Sequence, residues 1–322
     1  MPTGACTASF EKEIAHMIIT ITMNPAVDKS TTINKLVAEK KMRCSEMVTE
    51  AGGGGINVSK ALKELGSDSL AVFPSGGING QLIEKYLQAR DIPYQTIPIE
   101  KETRENIVVR ENDTNLQYRF VMPGASLTER EAQLCLQMIQ QLQPAPDYIV
   151  ASGSLPPGLP EHFFASLAKT AKQVHARFII DTSGLPLQLA AKEGVYLLKP
   201  NLSELCALAG VSYLPVNEVK DAALKVIKQQ QCEVMVVSMG PEGALLVTHN
   251  GYEPVPAPTV KKQSTVGAGD SMVAGMVFML SQGRSLPETV RFGVACGTAA
   301  TMNPGTQLFK KEDVYQLYHR IS

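Results

Sequence analysis

Residues 264–271 read Ser264-Thr265-Val266-Gly267-Ala268-Gly269-Asp270-Ser271, an order of residue types that could move a phosphoryl group. Directly after them Met272, Val273, Met276, Val277 and Leu280 recur on one face of a 3.6-residue repeat, which Ser281-Gln282-Gly283 stops. Gly267 to Gly269 therefore stand at a helix N-terminus. The first amides of a helix have no intrahelical partner, and its dipole favours an anion there. Glycine lets a phosphate come close to the backbone. Asp270 opens the same helix, so a carboxylate able to accept a hydroxyl proton lies beside amides able to hold developing charge. The octet also reads, more plainly, as a glycine turn with a capping aspartate.

Other stretches carry groups that would serve such chemistry. Asn24-Pro25 ends a β-branched run over 17–23 and leaves Asp28 in the loop beyond it, where α/β sheets gather ligand contacts. A turn-capping aspartate is the alternative there. Gly52-Gly53-Gly54-Gly55-Ile56-Asn57 leads into a helix marked by Val58, Ala61, Leu62 and Leu65 and closed by Gly66. This second glycine-to-helix junction reads as a backbone packed close to a ligand, or else as a flexible linker. It has neither the Lys-Ser/Thr of a Walker loop nor the spacing of a dinucleotide fingerprint. After Lys199-Pro200, Asn201 and Glu204 share a helix face at i, i+3; they suit a capping pair, or a hydrated magnesium ion. Lys40, Lys41 and Arg43 lie in a polar stretch, and Arg104 and Arg119 flank a short hairpin. Arginine suits bidentate phosphate binding, although a solvated surface explains each cation alone.

The elements that must position these groups alternate. Strands are expected over 69–73, 147–151, 178–181, 195–198 and 234–237, and helices over 82–89, 128–142, 160–175 and 287–302, with a short helix at the end. The strand at 147–151 runs into an oxygen-rich loop, Ser152-Gly153-Ser154-Leu155-Pro156-Pro157-Gly158. Residues 244–248 and 252–255 predict a hairpin with a type I′ turn at Asn250-Gly251. Such alternation implies an α/β fold, a doubly wound, mostly parallel sheet flanked by helices. Segments 31–50 and 104–122 break the rhythm and read as a small β-sheet lid over the strand ends. Residues 1–16 read as a loose extension, leaving 17–322 as one domain with the lid inserted.

A net charge of −1 gives no reason to expect nucleic acid or a membrane surface as partner, and 44% hydrophobic with 19% charged residues is ordinary for a globular chain. The longest apolar run, 272–280, is far short of a membrane span. Six scattered cysteines without Cys-x-x-Cys suit reduced thiols in the cytoplasm, and five histidines show no zinc spacing. The N-terminus lacks the pattern of a signal peptide.

Asn24-Pro25-Ala26-Val27-Asp28, Gly52 to Asn57, Lys199-Pro200-Asn201-Leu202-Ser203-Glu204 and Ser264 to Ser271, in this order, resemble the PfkB carbohydrate kinases of the ribokinase superfamily. Lys41-Met42-Arg43-Cys44, the unbroken glycine run, Thr103-Arg104-Glu105-Asn106 and Tyr118-Arg119-Phe120-Val121-Met122-Pro123-Gly124 are similar to the branch that makes fructose 1,6-bisphosphate from fructose 6-phosphate and ATP. The 1-phosphofructokinase and tagatose-6-phosphate kinase branches, the nearest alternatives, typically carry Gly-Gly-Lys-Gly at 52–55.

The resemblance implies roles. Asp270 would be the general base, and the amides of Gly267, Ala268 and Gly269 the anion hole. Asp28, Gly53, Asn57 and Ser154 would hold the sugar, and Lys41, Arg43 and Arg104 its phosphate. Lys199, Asn201, Ser238, Gly240, Gly243, Lys262, Thr265, Val294 and Thr298 would meet ATP. Glu204 would orient Mg²⁺ through water. Ser264, Val266, Ala300, Asn303 and Gly305 would hold K⁺, with Pro304 and Gln307 departing from the family pattern nearby. A homodimer through the lid, and inhibition by ATP at a second site, are implied as well. Two other classes fit less. A dinucleotide oxidoreductase needs Gly-x-Gly-x-x-Gly where Asn24-Pro25 stands, and a non-catalytic nucleotide-binding regulator should have lost Asp270 or its glycines.

Overall fold

Thirteen strands fall into two sheets among the described residues of the computed structural model, 16–229, 232–305 and 307–321. In the larger sheet β1 (Ile18–Ile21), buried throughout, lies between a strand on either side. Before it comes no described strand; after it come β2 (Ala26–Ile33), β3 (Val48–Gly52), β4 (Leu70–Ser75), β5 (Tyr94–Pro98), β6 (Arg104–Glu111), β7 (Gln117–Val121) and β8 (Tyr148–Ser152). The rest are β9 (Arg177–Asp181), β10 (Val195–Leu198), β11 (Cys232–Ser238), β12 (Ala244–Thr248) and β13 (Gly251–Val255). The larger sheet has the order β13-β12-β11-β10-β9-β8-β1-β4-β5, parallel except where β12 pairs with β11 and β13.

Successive strand residues point to opposite faces. Ile18, Val150, Ile179 and Leu197 join one core, and their neighbours Ile19, Ile149, Ile180 and Leu198 join the other. The first core is covered by α1 (Gly54–Leu65), α8 (Ala268–Ser281), α9 (Leu286–Thr301) and α10 (Lys311–Tyr318). The second is covered by α3 (Glu129–Gln141), α4 (Phe163–Gln173), α5 (Gly184–Glu193), α6 (Leu202–Ala209) and α7 (Val219–Gln229). The expected doubly wound sheet is therefore present. Strands covered on both faces must be near-continuously apolar, as β8, β10 and β11 are.

The smaller sheet has the order β3-β2-β6-β7, with β2 and β6 parallel. It begins at Ala26, ahead of the expected 31, so Asp28 lies within a strand and not in the loop after β1. Asn24-Pro25 interrupts the chain for only a few residues, after which Val27, Thr31 and Ile33 are buried. Two helices and an edge strand escape the sequence reading. Gly184 and Pro186 suggest a turn but occupy the first turn of α5, where proline is tolerated. Helix α7 carries a clear amphipathic repeat, with Val219, Ala223, Val226 and Ile227 on its buried face, which the sequence reading leaves unassigned, and β5 is a polar edge strand ending in Pro98. Helix α2 (Gly77–Gln88) starts at Gly77, ahead of the expected 82. The β12–β13 hairpin forms, but its turn is not type I′. Gly251 has φ 147°, whereas His249 and Asn250, between the paired Thr248 and Gly251, are not among the described residues with positive φ.

Apart from His16, the extension expected over 1–16 lies outside the described residues. No helix among the described residues is long and apolar enough to cross a membrane.

Candidate active site

Gly267 caps α8 in the left-handed region, φ 72°, a conformation that costs glycine least. The first intrahelical bond runs from Ser271 N to Gly267 O at 2.8 Å, while Ala268 N reaches back to Thr265 O at 3.5 Å. The amides of Gly269 and Asp270 thus come before any helical acceptor. In front of Gly269 stands a buried ion pair: Lys199 Nζ is 3.1 Å from Asp181 Oδ1. A Cβ on Gly269 would be 3.5 Å from that ammonium, so the helix end and the lysine face one space.

Asp270 turns into the same space. Asn57 Nδ2 donates to its Oδ2 and Ser152 Oγ to its Oδ1, both at 3.0 Å. Burial, and then the nearby charge of Asp181, push its carboxyl up to about 6, against those two hydrogen bonds and the charge of Lys199. Burial alone would lower the pKa of Lys199, but Asp181, with Glu204 and Asp270 behind it, holds it above its ordinary value. The result is a poised carboxylate, a fixed cation and free amides around one point, which is what a hydroxyl nucleophile and a transferring phosphoryl group require.

The four glycines explain how Asn57 and Ser152 come together. A Cβ on Gly54 would lie 2.3 Å from Ser152 Oγ and 2.6 Å from its carbonyl carbon. One on Gly55 would lie 2.5 Å from Ile21 O, and one on Gly53, φ 116°, 2.5 Å from Thr22 Cγ2. The run is thus neither a linker nor chiefly a ligand cradle. It lets the start of α1 press against the ends of β1 and β8, and that contact sets Asn57 beside Asp270.

On the smaller sheet Asp28 Oδ1 accepts from Asn106 Nδ2 at 2.9 Å. Burial raises the pKa of Asp28, opposed by Asn106, Lys60 and Arg104. Arg104 donates through Nη1 to Met122 O at 2.7 Å and through Nη2 to Asn24 O at 3.0 Å. Asn24 Nδ2 in turn donates to Ser154 Oγ at 3.2 Å. So Asp28, Arg104 and Ser154 belong to one network. Lys41 and Arg43 do not join it: both are exposed in the β2–β3 connection, and neither makes a hydrogen bond or ion pair among the described residues.

Asn201 and Glu204 form a reciprocal cap. Glu204 N donates to Asn201 Oδ1 at 2.9 Å and Asn201 N to Glu204 Oε2 at 2.8 Å. The plain capping role is therefore real, but it uses only one oxygen of Glu204, whose pKa is raised by burial. Ser238 bridges Asn201 at the end of β11. The Gly240–Glu242 turn follows, and a Cβ on Gly243 would be 2.1 Å from Val255 O, so glycine is obligatory there. Lys262 and Thr265 are exposed on the segment before α8, and Val294 and Thr298 lie on α9. Around the same turn Ser264 Oγ donates to Gly305 O at 2.8 Å and to no other described acceptor, while Val266 N donates to Ser264 Oγ at 3.2 Å. Asn303 N donates to Ala300 O at 3.3 Å, and its side-chain amide to Ala299 O and Leu308 O. Segments 264–266 and 300–305 are thereby brought together, offering backbone and hydroxyl oxygens of the kind a potassium ion takes.

Sequence reading missed Ser152, Asp181, Lys60 and Asn106. Ser152 and Asp181 end neighbouring strands, the very positions where ligand groups are sought. Lys60 lies one turn after Asn57 and directs its part-buried ammonium to Ala51 O at 3.0 Å and Asn57 Oδ1 at 3.5 Å. Burial lowers its pKa, against the pull of Glu50 and Asp28.

The sequence pattern of the pfkB family carbohydrate kinases matches residues 16–313. The chain belongs to that family. It is 40% identical over 306 residues to the ATP-dependent 6-phosphofructokinase isozyme 2 of Escherichia coli (strain K12), a match covering 95% of this chain and 99% of the relative. The crystal structure of phosphofructokinase-2 from Escherichia coli in complex with potassium superposes with a TM-score of 0.91 at 39% identity, covering 95% and 99% of the two chains. The 1-phosphofructokinase of Bacillus subtilis (strain 168) is 32% identical over 305 residues, covering 95% of this chain and 98% of that one. In the pfkB family frame, the carboxylate at the start of α8 stands in an ATP-dependent sugar-phosphate kinase.

Proposed function

We propose that this chain phosphorylates fructose 6-phosphate with ATP to give fructose 1,6-bisphosphate. The observation that carries the chemistry is Asp270, held by Asn57 and Ser152 at the mouth of the α8 amides. The sugar hydroxyl is far too weak an acid to be deprotonated beforehand. Its proton passes to Asp270 late, as the bond to phosphorus forms, while the amides from Gly267 to Gly269 and the Lys199 ammonium hold the charge on the phosphoryl oxygens. Asp28, Gly53, Asn57 and Ser154 grip the sugar. Arg104 binds its phosphate, joined by Lys41 and Arg43 from the exposed connection.

Asn201, Ser238, Gly240, Gly243, Lys262, Thr265, Val294 and Thr298 line the path of ATP. Glu204 has an oxygen without a protein partner among the described residues, which fits water held on Mg²⁺. When bound, that ion would neutralise charge on the phosphates. The oxygens of Ser264, Val266, Ala300, Asn303 and Gly305 fit K⁺. Met47, Val48, Leu116, Phe120 and Val121 are exposed apolar residues of the small sheet and its turn, and support that sheet as a lid through which two copies pair. Free thiols at Cys44, Cys135, Cys206, Cys232 and Cys296 suit a cytoplasmic setting. Inhibition by ATP belongs to the same proposal and rests on family resemblance.

The substrate is tested by ADP release with fructose 6-phosphate, fructose 1-phosphate and tagatose 6-phosphate at equal concentrations. Fructose 6-phosphate should give the highest kcat/KM. A higher value with either of the other sugars would overturn the substrate while leaving the kinase chemistry intact.

A further inference from the structure

Asp28 is gripped from two sides. Asn106 Nδ2 donates to its Oδ1 at 2.9 Å. Its Oδ2 lies so near the Gly52 Cα that a Cβ there would be 1.9 Å away. Asp28 and Asn106 face each other in the parallel β2–β6 register. Asn106 is fixed in turn: Met122 N donates to its Oδ1 at 3.2 Å, so only the amide nitrogen can face Asp28. The carbonyl of the same Met122 accepts from Arg104 Nη1. Arg104 and Asn106 are two apart on β6, on one face, and between them they hold both backbone groups at the end of β7.

The charges around Asp28 give this arrangement a purpose. Lys60 and Arg104 both attract the carboxylate, and Glu50 repels it. A carboxylate free to rotate would settle against a cation and be lost to the sugar. We infer that Asn106 is a positioning residue for sugar binding: it pins Asp28 Oδ1, leaves Oδ2 to accept from a sugar hydroxyl, and makes that grip depend on the β6–β7 hairpin being docked. The inference rests on the reading of Asp28 as a sugar ligand.

The test is calorimetric binding of fructose 6-phosphate without ATP, at about pH 8 and about pH 5.5, with ATP binding measured on the same samples as a check on the fold. In Asn106→Asp the shape is kept. At the higher pH two carboxylates meet and the donor is gone; at the lower pH they share a proton and a donor returns. Fructose 6-phosphate affinity should fall at least about tenfold at pH 8 and largely recover at the lower pH, with ATP affinity unchanged. Asn106→Leu, with no donor at any pH, should lose affinity at both. Native-like sugar affinity in either variant, or an Asn106→Asp protein that does not recover, overturns the inference. Asp28→Asn separates the two levels. If it binds sugar like the native chain, the reading of Asp28 falls; if it alone loses affinity, only the role of Asn106 falls.

Discussion

Asp270 and Asn57 are 213 residues apart in the chain and meet through a hydrogen bond of 3.0 Å. One opens α8 and the other lies in the first turn of α1. Their meeting fixes the orientation of the Asp270 carboxylate before any substrate arrives, as the proposed role of general base requires.

Replacing Asp270 by Asn keeps the shape and the hydrogen-bonding capacity but removes the proton acceptor. Turnover should fall by roughly 10²–10⁴, the usual worth of a general base. ATP affinity should hold. Stopped-flow turnover beside equilibrium ATP binding checks this, and near-native turnover would remove Asp270 from its role.

The carboxyl of Asp270, pushed up to about 6 from an ordinary value of 3.8, gives a pH signature of definite sign. The proposed general base must be ionised to accept a proton, so kcat/KM should decline as pH drops through about 6. Stability runs the other way. The folded chain binds this proton more tightly than the unfolded chain, so the contribution is fully present below 3.8 and lost as pH rises through about 6. Asp270→Asn should therefore raise Tm at pH 8, by no more than about 3 kcal/mol in free energy, and the gain should vanish near pH 4. Calorimetric melts at the two pH values decide it, and an equal Tm difference at both would refute the linkage.

Lys199 and Asp181 act on Asp270 with opposite signs. Lys199→Met leaves Asp181 uncompensated in a buried site and should cost about 3–5 kcal/mol of stability. It should also move the acidic limb of the kcat/KM profile to higher pH, whereas Asp181→Asn should move it lower. Shifts in the same direction for both variants would contradict the electrostatic arrangement.

Gly54→Ala places a methyl group 2.3 Å from Ser152 Oγ and 2.8 Å from Gly153 N. Helix α1 must retreat from β8, which separates the two residues that hold Asp270. The expected result is a stability loss of about 1–3 kcal/mol together with a drop in kcat, read by denaturant titration and steady-state assay. A chain that merely melts earlier, with native kcat, would show that the contact does not govern the base.

The sequence made the catalytic end of the fold legible because its signals are local. Gly267 to Asp270 and the periodic run after them mark the start of α8 without any tertiary information, and Asn201 with Glu204 marks α6 in the same way. The alternation of apolar strands and helices likewise reveals the doubly wound sheet. What stayed hidden depends on pairing. Asp28 falls in a strand because β2 finds β3 and β6, not because its own residues demand one. Ser152 is not told apart from Ser154, because nothing local says which hydroxyl of that loop turns toward α8. Lys60 and Asn106 act on Asn57 and Asp28, and such support becomes visible only once the partners are in space.

The glycine run at 52–55 bears on how this enzyme could be re-engineered. Each of these residues has a side-chain position already taken by Asp28, Thr22, Ser152 or Ile21. A mutagenesis library aimed at a new sugar should therefore leave this stretch invariant, since most diversity there would be wasted on misassembled proteins. Variation belongs on β6, on the far side of β2 from this run, where Asn106 reaches the proposed sugar ligand Asp28 without carrying the joint between α1 and the sheet.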